Sequence, residues 1–116
     1  MLLDGDDNLT LEVSGLGEVV EVVSRRGILP ILAGLATRPM RHNELARYTG
    51  LENKQLSRAL RCAEDAGLVN RRVRGNGRPV EVAYCLTERG ASLVMALNSL
   101  AHAWERGQGS GVVSYA

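Results

Sequence analysis

Thr49-Gly50-Leu51-Glu52-Asn53-Lys54-Gln55-Leu56-Ser57-Arg58-Ala59-Leu60-Arg61-Cys62-Ala63-Glu64-Asp65-Ala66-Gly67 is the run of residues on which the fold turns. Gly50 can supply the left-handed backbone that ends one helix, and Gly67 can close the next. Between them Leu56, Leu60 and Ala63 recur at helical spacing and mark a buried side, with Leu51 leading in. The opposite side carries Asn53, Lys54, Ser57, Arg58 and Arg61. Lys54, Arg58 and Arg61 stand at i, i+4 and i+7, which places them on one stripe. Glu52, Glu64 and Asp65 sit at the ends of this helix, about residues 52–66, and do not interleave with the stripe.

Upstream, Asn43 to Thr49 reads as a short helix with Leu45 and Ala46 inward and Asn43 as its cap. Met40–Arg41 is extended at most. Ile28, Leu29, Ile31, Leu32 and Leu35 form a nearly all-apolar helix ended by Pro39. Pro30 fits in its first turn, where a missing N–H costs nothing. Arg25-Arg26-Gly27 is the connection to an earlier amphipathic helix, with Leu16, Val19, Val20 and Val23 on its apolar side.

Downstream, two β-prone runs, Leu68 to Val73 and Pro79 to Leu86, flank Gly75-Asn76-Gly77, a hairpin signal. Val80, Val82, Tyr84 and Leu86 share one strand face, with Cys85 on the other as a structural residue. Thr87 then caps a last helix with Leu93, Val94, Leu97, Leu100, Ala101 and Trp104 on its apolar side. The order of elements predicts a mainly α fold with a small β-hairpin, a winged helix-turn-helix. Residues 1–14 read as an acidic arm or disordered tail, 15–106 as the winged helix-turn-helix domain with flanking dimerisation helices, and 107–116 as a flexible tail.

Composition narrows the function classes. The chain has 116 residues, enough for one domain with one core. Only 3% are aromatic, with no Phe, so the core rests on Leu, Val, Ile and Ala, and a broad ring-lined pocket is not expected. No apolar run approaches the roughly 20 residues that span a bilayer, and the acidic N-terminus lacks a basic leader. These features predict a cytoplasmic protein without membrane contact. Cys62 and Cys85 form no CxxC pair and are expected to be free thiols. They give no metal-ligand spacing with His42 and His102. No cofactor signature, phosphate loop or catalytic set appears, so the chain does not read as an enzyme.

The net charge of +1 conceals an asymmetry. Residues 1–24 hold six acids and no Lys or Arg, whereas residues 25–80 hold twelve basic residues and four acids. A basic block within a near-neutral chain suggests one face made for a polyanion. A helix in the major groove can read bases through Arg and Asn, with further contacts to phosphate. The expected DNA-binding set is Asn53, Lys54, Ser57, Arg58 and Arg61 on the helix, Arg41 before the short helix, and Arg71, Arg72, Arg74 and Arg78 in the hairpin. The expected dimerisation set is Leu16, Val19, Val20, Val23, Leu93, Leu97, Leu100 and Trp104. Cys62, near Arg58 and Arg61, is the one candidate for redox chemistry, against the plainer role of a space-filling thiol. The competing reading is a winged helix that serves protein interaction, as an assembly or antirepressor subunit; basic residues on both helix and hairpin weigh against it.

From about Val19 to Trp104 the chain resembles the HxlR-type winged-helix regulators, relatives of the MarR and PadR groups. The resemblance rests on Arg41-His42-Asn43-Glu44-Leu45, on Leu51 with Leu56 and Leu60, and on Glu64-Asp65-Ala66-Gly67-Leu68-Val69. It continues with Arg71 or Arg72 and through Val80-Glu81-Val82-Ala83-Tyr84-Cys85-Leu86-Thr87-Glu88-Arg89-Gly90, in which Tyr84-x-Leu86-Thr87-x-x-Gly90 is the most telling piece. It implies a homodimer that presents two recognition helices to a near-palindromic double-stranded operator, most simply as a repressor; the small-molecule effector is left open. The chain departs from the family in three places. Gly27 stands where the family usually has Trp, His42 replaces an aromatic, and no Cys precedes Cys62, so the N-terminal redox cysteine of some members is not carried over.

Overall fold

The computed structural model describes residues 9–74 and 81–110. Five helices and three strands follow in the order α1 (Ser14–Val23), α2 (Ile28–Thr37), β1 (Met40–Arg41), α3 (His42–Thr49), α4 (Asn53–Asp65), β2 (Val69–Arg74), β3 (Glu81–Leu86) and α5 (Glu88–Ser110). The core is aliphatic, as the composition requires. Ile28, Ile31, Leu32, Leu45, Leu56 and Leu60 are fully buried where α2, α3 and α4 meet. Burying one such side chain contributes about 1.5–3 kcal/mol, so these six are the main reason the three helices hold a fixed arrangement.

Gly27 explains how α2 begins. It is the N-cap residue, with φ 90°. A Cβ there would come within 2.8 Å of Leu51 Cδ1 and 3.0 Å of Ala59 Cβ. Both the backbone and the closeness of α4 therefore demand glycine, and no indole would fit at this point. Pro30 lies in the first turn of α2, where its missing donor is harmless.

The expected cap of α3 is corrected. Its N-cap is Arg41, not Asn43, and the helix starts at His42. The Arg41 backbone N–H donates to Glu44 Oε1 at 2.8 Å, so a carboxylate reaching back performs the capping. Asn43 is exposed, inside the first turn. At the other end Gly50 has φ 73° and its N–H donates to the Ala46 carbonyl. The turn to α4 is closed by Thr49, whose hydroxyl donates to Leu45 O at 2.8 Å and accepts from Leu51 N–H at 3.2 Å.

The sheet has one strand more than the hairpin expected from the sequence. Met40–Arg41 pairs antiparallel with β3, Met40 opposite Tyr84 and Arg41 opposite Ala83, giving the order β1-β3-β2. A two-residue strand has no periodicity to read, so only its partner reveals it. With β3 central, Ala83 and Cys85 are half-buried as well as Val82, Tyr84 and Leu86, and the expected alternation is muted.

The Tyr84-x-Leu86-Thr87-x-x-Gly90 piece is the join between sheet and last helix. The Thr87 hydroxyl donates to Gly67 O at 2.6 Å and accepts from Gly90 N–H at 2.9 Å, while Thr87 N–H donates to Leu68 O at 3.0 Å. Thr87 is thus the cap that its position predicts. Gly90 is buried, and a Cβ on it would collide with the Leu68 carbonyl oxygen. Arg89 Nη1 donates to Ala66 O at 2.9 Å, so the start of α5 is tied to the turn after α4. At its far end α5 runs to Ser110, and the first four residues of the expected flexible tail, 107–110, are helical. No helix among the described residues is long and apolar enough to cross a membrane.

Candidate nucleic-acid interface

The helix α4 is held by its buried side and leaves the other free. Leu56, Ala59, Leu60 and Ala63 are buried. Asn53, Lys54, Ser57, Arg58 and Arg61 are all exposed. At about 100° per residue, Lys54, Arg58 and Arg61 fall within about 60° of arc, directly opposite the buried side. None of these three cations forms an ion pair among the described residues, where the salt bridges are Arg25–Glu21 and Arg38–Glu44. His42 Nε2 lies 3.4 Å from Ser57 Oγ and links the start of α3 to this outer face.

The wing is divided by its own register. In the β2–β3 pairing Arg71 faces Tyr84 and Arg72 faces Ala83. Side chains alternate across a sheet, so Arg71 and Arg72 leave on opposite faces and do not form one patch. Arg71 joins Ser57, Arg61 and Tyr84 around a groove of about 320 Å³ between α4 and the wing. Glu64 and Asp65 line the same groove and bound the basic surface at the C-terminal end of α4. Arg72 shares its face with Arg41, since both flank Ala83 from the two neighbouring strands. Arg78, the tip of the hairpin, Val80 and the side chain of Arg74 lie outside the described residues.

Two arginines not included in the expected set join the site. Arg25 and Arg26, in the turn between α1 and α2, border one depression with Gln55, Arg58, Ala59 and Cys62 of α4. A turn has no periodicity to point at a neighbour, so the sequence offered only an adjacent pair of arginines. Cys62 is half-buried at this depression, and Cys85 is half-buried on β3 opposite Asn70.

The expected dimerisation residues divide as well. Leu93 and Leu97 are half-buried against the chain's own core, as is Val22. Val19 shares a cavity of about 370 Å³ with Val22, Leu68 and Leu93. No residue of α1 is buried, and Leu16 and Val20 are exposed. From Asn98 to Gly107 every residue of α5 is exposed, including Leu100 at 65% and Trp104 at 69%.

A short helix, a glycine turn, a longer helix with a free basic face and an antiparallel wing together define a winged helix-turn-helix. The chain belongs to the HxlR-like helix-turn-helix family, whose sequence profile matches residues 22–110. It is 36% identical over 81 residues to an uncharacterized HTH-type transcriptional regulator of Methanothermobacter thermautotrophicus (strain Delta H). That alignment takes in 69% of this chain and 60% of the relative, so the chain spans less than two thirds of that protein. Among solved structures it is similar to a MarR-family transcriptional regulator from Enterococcus faecalis V583, with TM-score 0.79, 28% identity and coverage of 90% of this chain and 96% of that one. It is also similar to the reduced form of the transcriptional regulator YodB from B. subtilis, with TM-score 0.73, 26% identity and coverage of 81% and 91%.

Proposed function

We propose that this protein is a cytoplasmic, sequence-specific DNA-binding transcription regulator, acting as a homodimeric repressor on a near-palindromic operator. The observation that carries the reading is the outer face of α4, where Lys54, Arg58 and Arg61 project together without an acidic partner among the described residues. A stripe of that kind gains most when it meets phosphates and base edges in a major groove, about 12 Å wide. Asn53 and Ser57 flank the stripe with hydrogen-bonding groups. On one side Arg71 faces the same groove as Arg61, and Arg72 with Arg41 extends positive charge along the sheet. Arg74 and Arg78 belong to the same reading as anchors.

Dimerisation is supported by the exposed apolar residues Leu16, Val20, Leu100 and Trp104, with Val19, Val23, Leu93 and Leu97 beside them. Twofold association would place two copies of α4 on successive turns of one DNA face. The half-buried Cys62 serves as filler in this scheme, and redox control is not its main switch. A mobility-shift titration with the DNA upstream of the protein's own gene tests the proposal. Saturable binding that survives excess random duplex is the expected result. Equal affinity for both DNAs, or none, overturns it in favour of a protein-interaction module.

A further inference from the structure

Beside the recognition stripe lies a notch of about 320 Å³ bordered by Arg25, Arg26, Gln55, Arg58, Ala59 and Cys62. Two segments far apart in sequence build it, the α1–α2 turn and the flank of α4. Three arginines line one depression, and like charges gathered in this way repel unless an anion lies among them. The only carboxylate paired there among the described residues is Glu21, 3.9 Å from Arg25 Nη2, with both side chains well exposed. Such a pair is weak and yields readily. Arg26 has no ion pair among the described residues. Each guanidinium offers a planar fork of N–H donors that matches two oxygens of a phosphate, and Gln55 adds a neutral donor.

We infer that this notch holds a phosphate of the DNA backbone, clamped by Arg25 and Arg26 at the edge of the groove that α4 enters. The inference rests on the DNA-binding reading and adds an anchor that neither the recognition stripe nor the wing supplies. Arg58 is what makes DNA the source. It belongs both to the rim of the notch and to the outer stripe, so a duplex engaged by the stripe passes its backbone across the opening. Cys62 at the depression gives a built-in reporter of occupancy, with Cys85 on the sheet as its internal control.

The test compares wild type with the double variant Arg25→Ala/Arg26→Ala, both checked by circular dichroism for an unchanged melting profile. Salt titrations are run on the upstream DNA and on random duplex. Each phosphate that the protein no longer neutralises should flatten the log–log salt dependence by about 0.9. The proposed dimer carries two such notches, so the expected result is a slope smaller by about 1.8 and an affinity lowered by roughly tenfold or more, equally on both DNAs. Arg25→Lys/Arg26→Lys should keep most of the slope. DNA should slow alkylation of Cys62 by iodoacetamide in the wild type, and less so in the alanine variant. An unchanged slope in a variant whose wild type binds DNA overturns the notch alone. Protection of Cys62 by inorganic phosphate, with the DNA slope unchanged, assigns the notch to a free anion and also overturns the inference. A wild type that binds no DNA removes the notch and the proposed function together.

Discussion

Single residues carry two different kinds of necessity here. Gly27 and Gly90 are required by space, because α4 and the Leu68 carbonyl stand where a Cβ would be. Arg58 and Arg71 make no side-chain hydrogen bond or ion pair among the described residues, which is the reason to look outside the protomer for their partner. Their surroundings predict distinct losses. Arg58 lies on the outward stripe of α4, so Arg58→Ala should cost about 1–3 kcal/mol on the preferred DNA and blur its base preference. Arg71 stands on the wing across the groove from Arg61, so Arg71→Ala should weaken preferred and random DNA nearly alike. Fluorescence anisotropy on both duplexes separates the two. Parallel losses for both variants on both DNAs would refute this division between reader and anchor.

Among the elements, α3 is the shortest helix and depends on its start. Glu44 accepts the Arg41 backbone N–H and also pairs with Arg38 Nη1 at 3.2 Å. The backbone hydrogen bond, with help from Arg38 and Arg41, holds the Glu44 carboxyl below its ordinary pKa. A carboxylate lowered in the folded state stabilises the fold above its ordinary range, and that contribution is lost as pH falls through the lowered value. Thermal midpoints of wild type and Glu44→Gln should therefore differ most at neutral pH and converge in acid. Gln can still accept the N–H but carries no charge, so a gap independent of pH would rule out this role for the charge. Since α3 carries His42 against Ser57 of α4, loosening its start should also be felt at the outer face.

For the whole molecule the deciding feature is a last helix of 23 residues that stands open to solvent from Asn98 to Gly107. Covering Leu100, Trp104 and the exposed side of α1 removes apolar surface from water at about 25 cal/mol per Å². Light scattering at micromolar concentration should therefore give twice the 12.5 kDa chain mass. Leu100→Glu/Trp104→Glu should give the monomer mass with the core intact, because both side chains are exposed within the protomer. Trp104 is the only tryptophan, so its emission should shift to the red in dilute solution as the dimer parts. Losing the second recognition helix should weaken operator binding by about 10²-fold or more. A wild type that stays monomeric at all concentrations would refute the twofold arrangement.

Much of this protein was already determined by the order of its residues. Apolar spacing placed α2, α4 and α5, the Gly50 and Gly67 turns separated the elements, and the stripe Lys54, Arg58, Arg61 was legible because helical periodicity is local. Tertiary structure alone decided what depends on a distant partner. It made Met40–Arg41 a strand through β3, and it sent Arg71 and Arg72 to opposite faces through the pairing register. It set Arg25 and Arg26 beside Arg58, and it turned Leu93 and Leu97 toward their own core while leaving Leu100 and Trp104 open. The physical reason is common to all four. Backbone propensity and side-chain periodicity act over a few residues, whereas strand partnership, the neighbours of a turn and the depth of a helix face are set by segments tens of residues away.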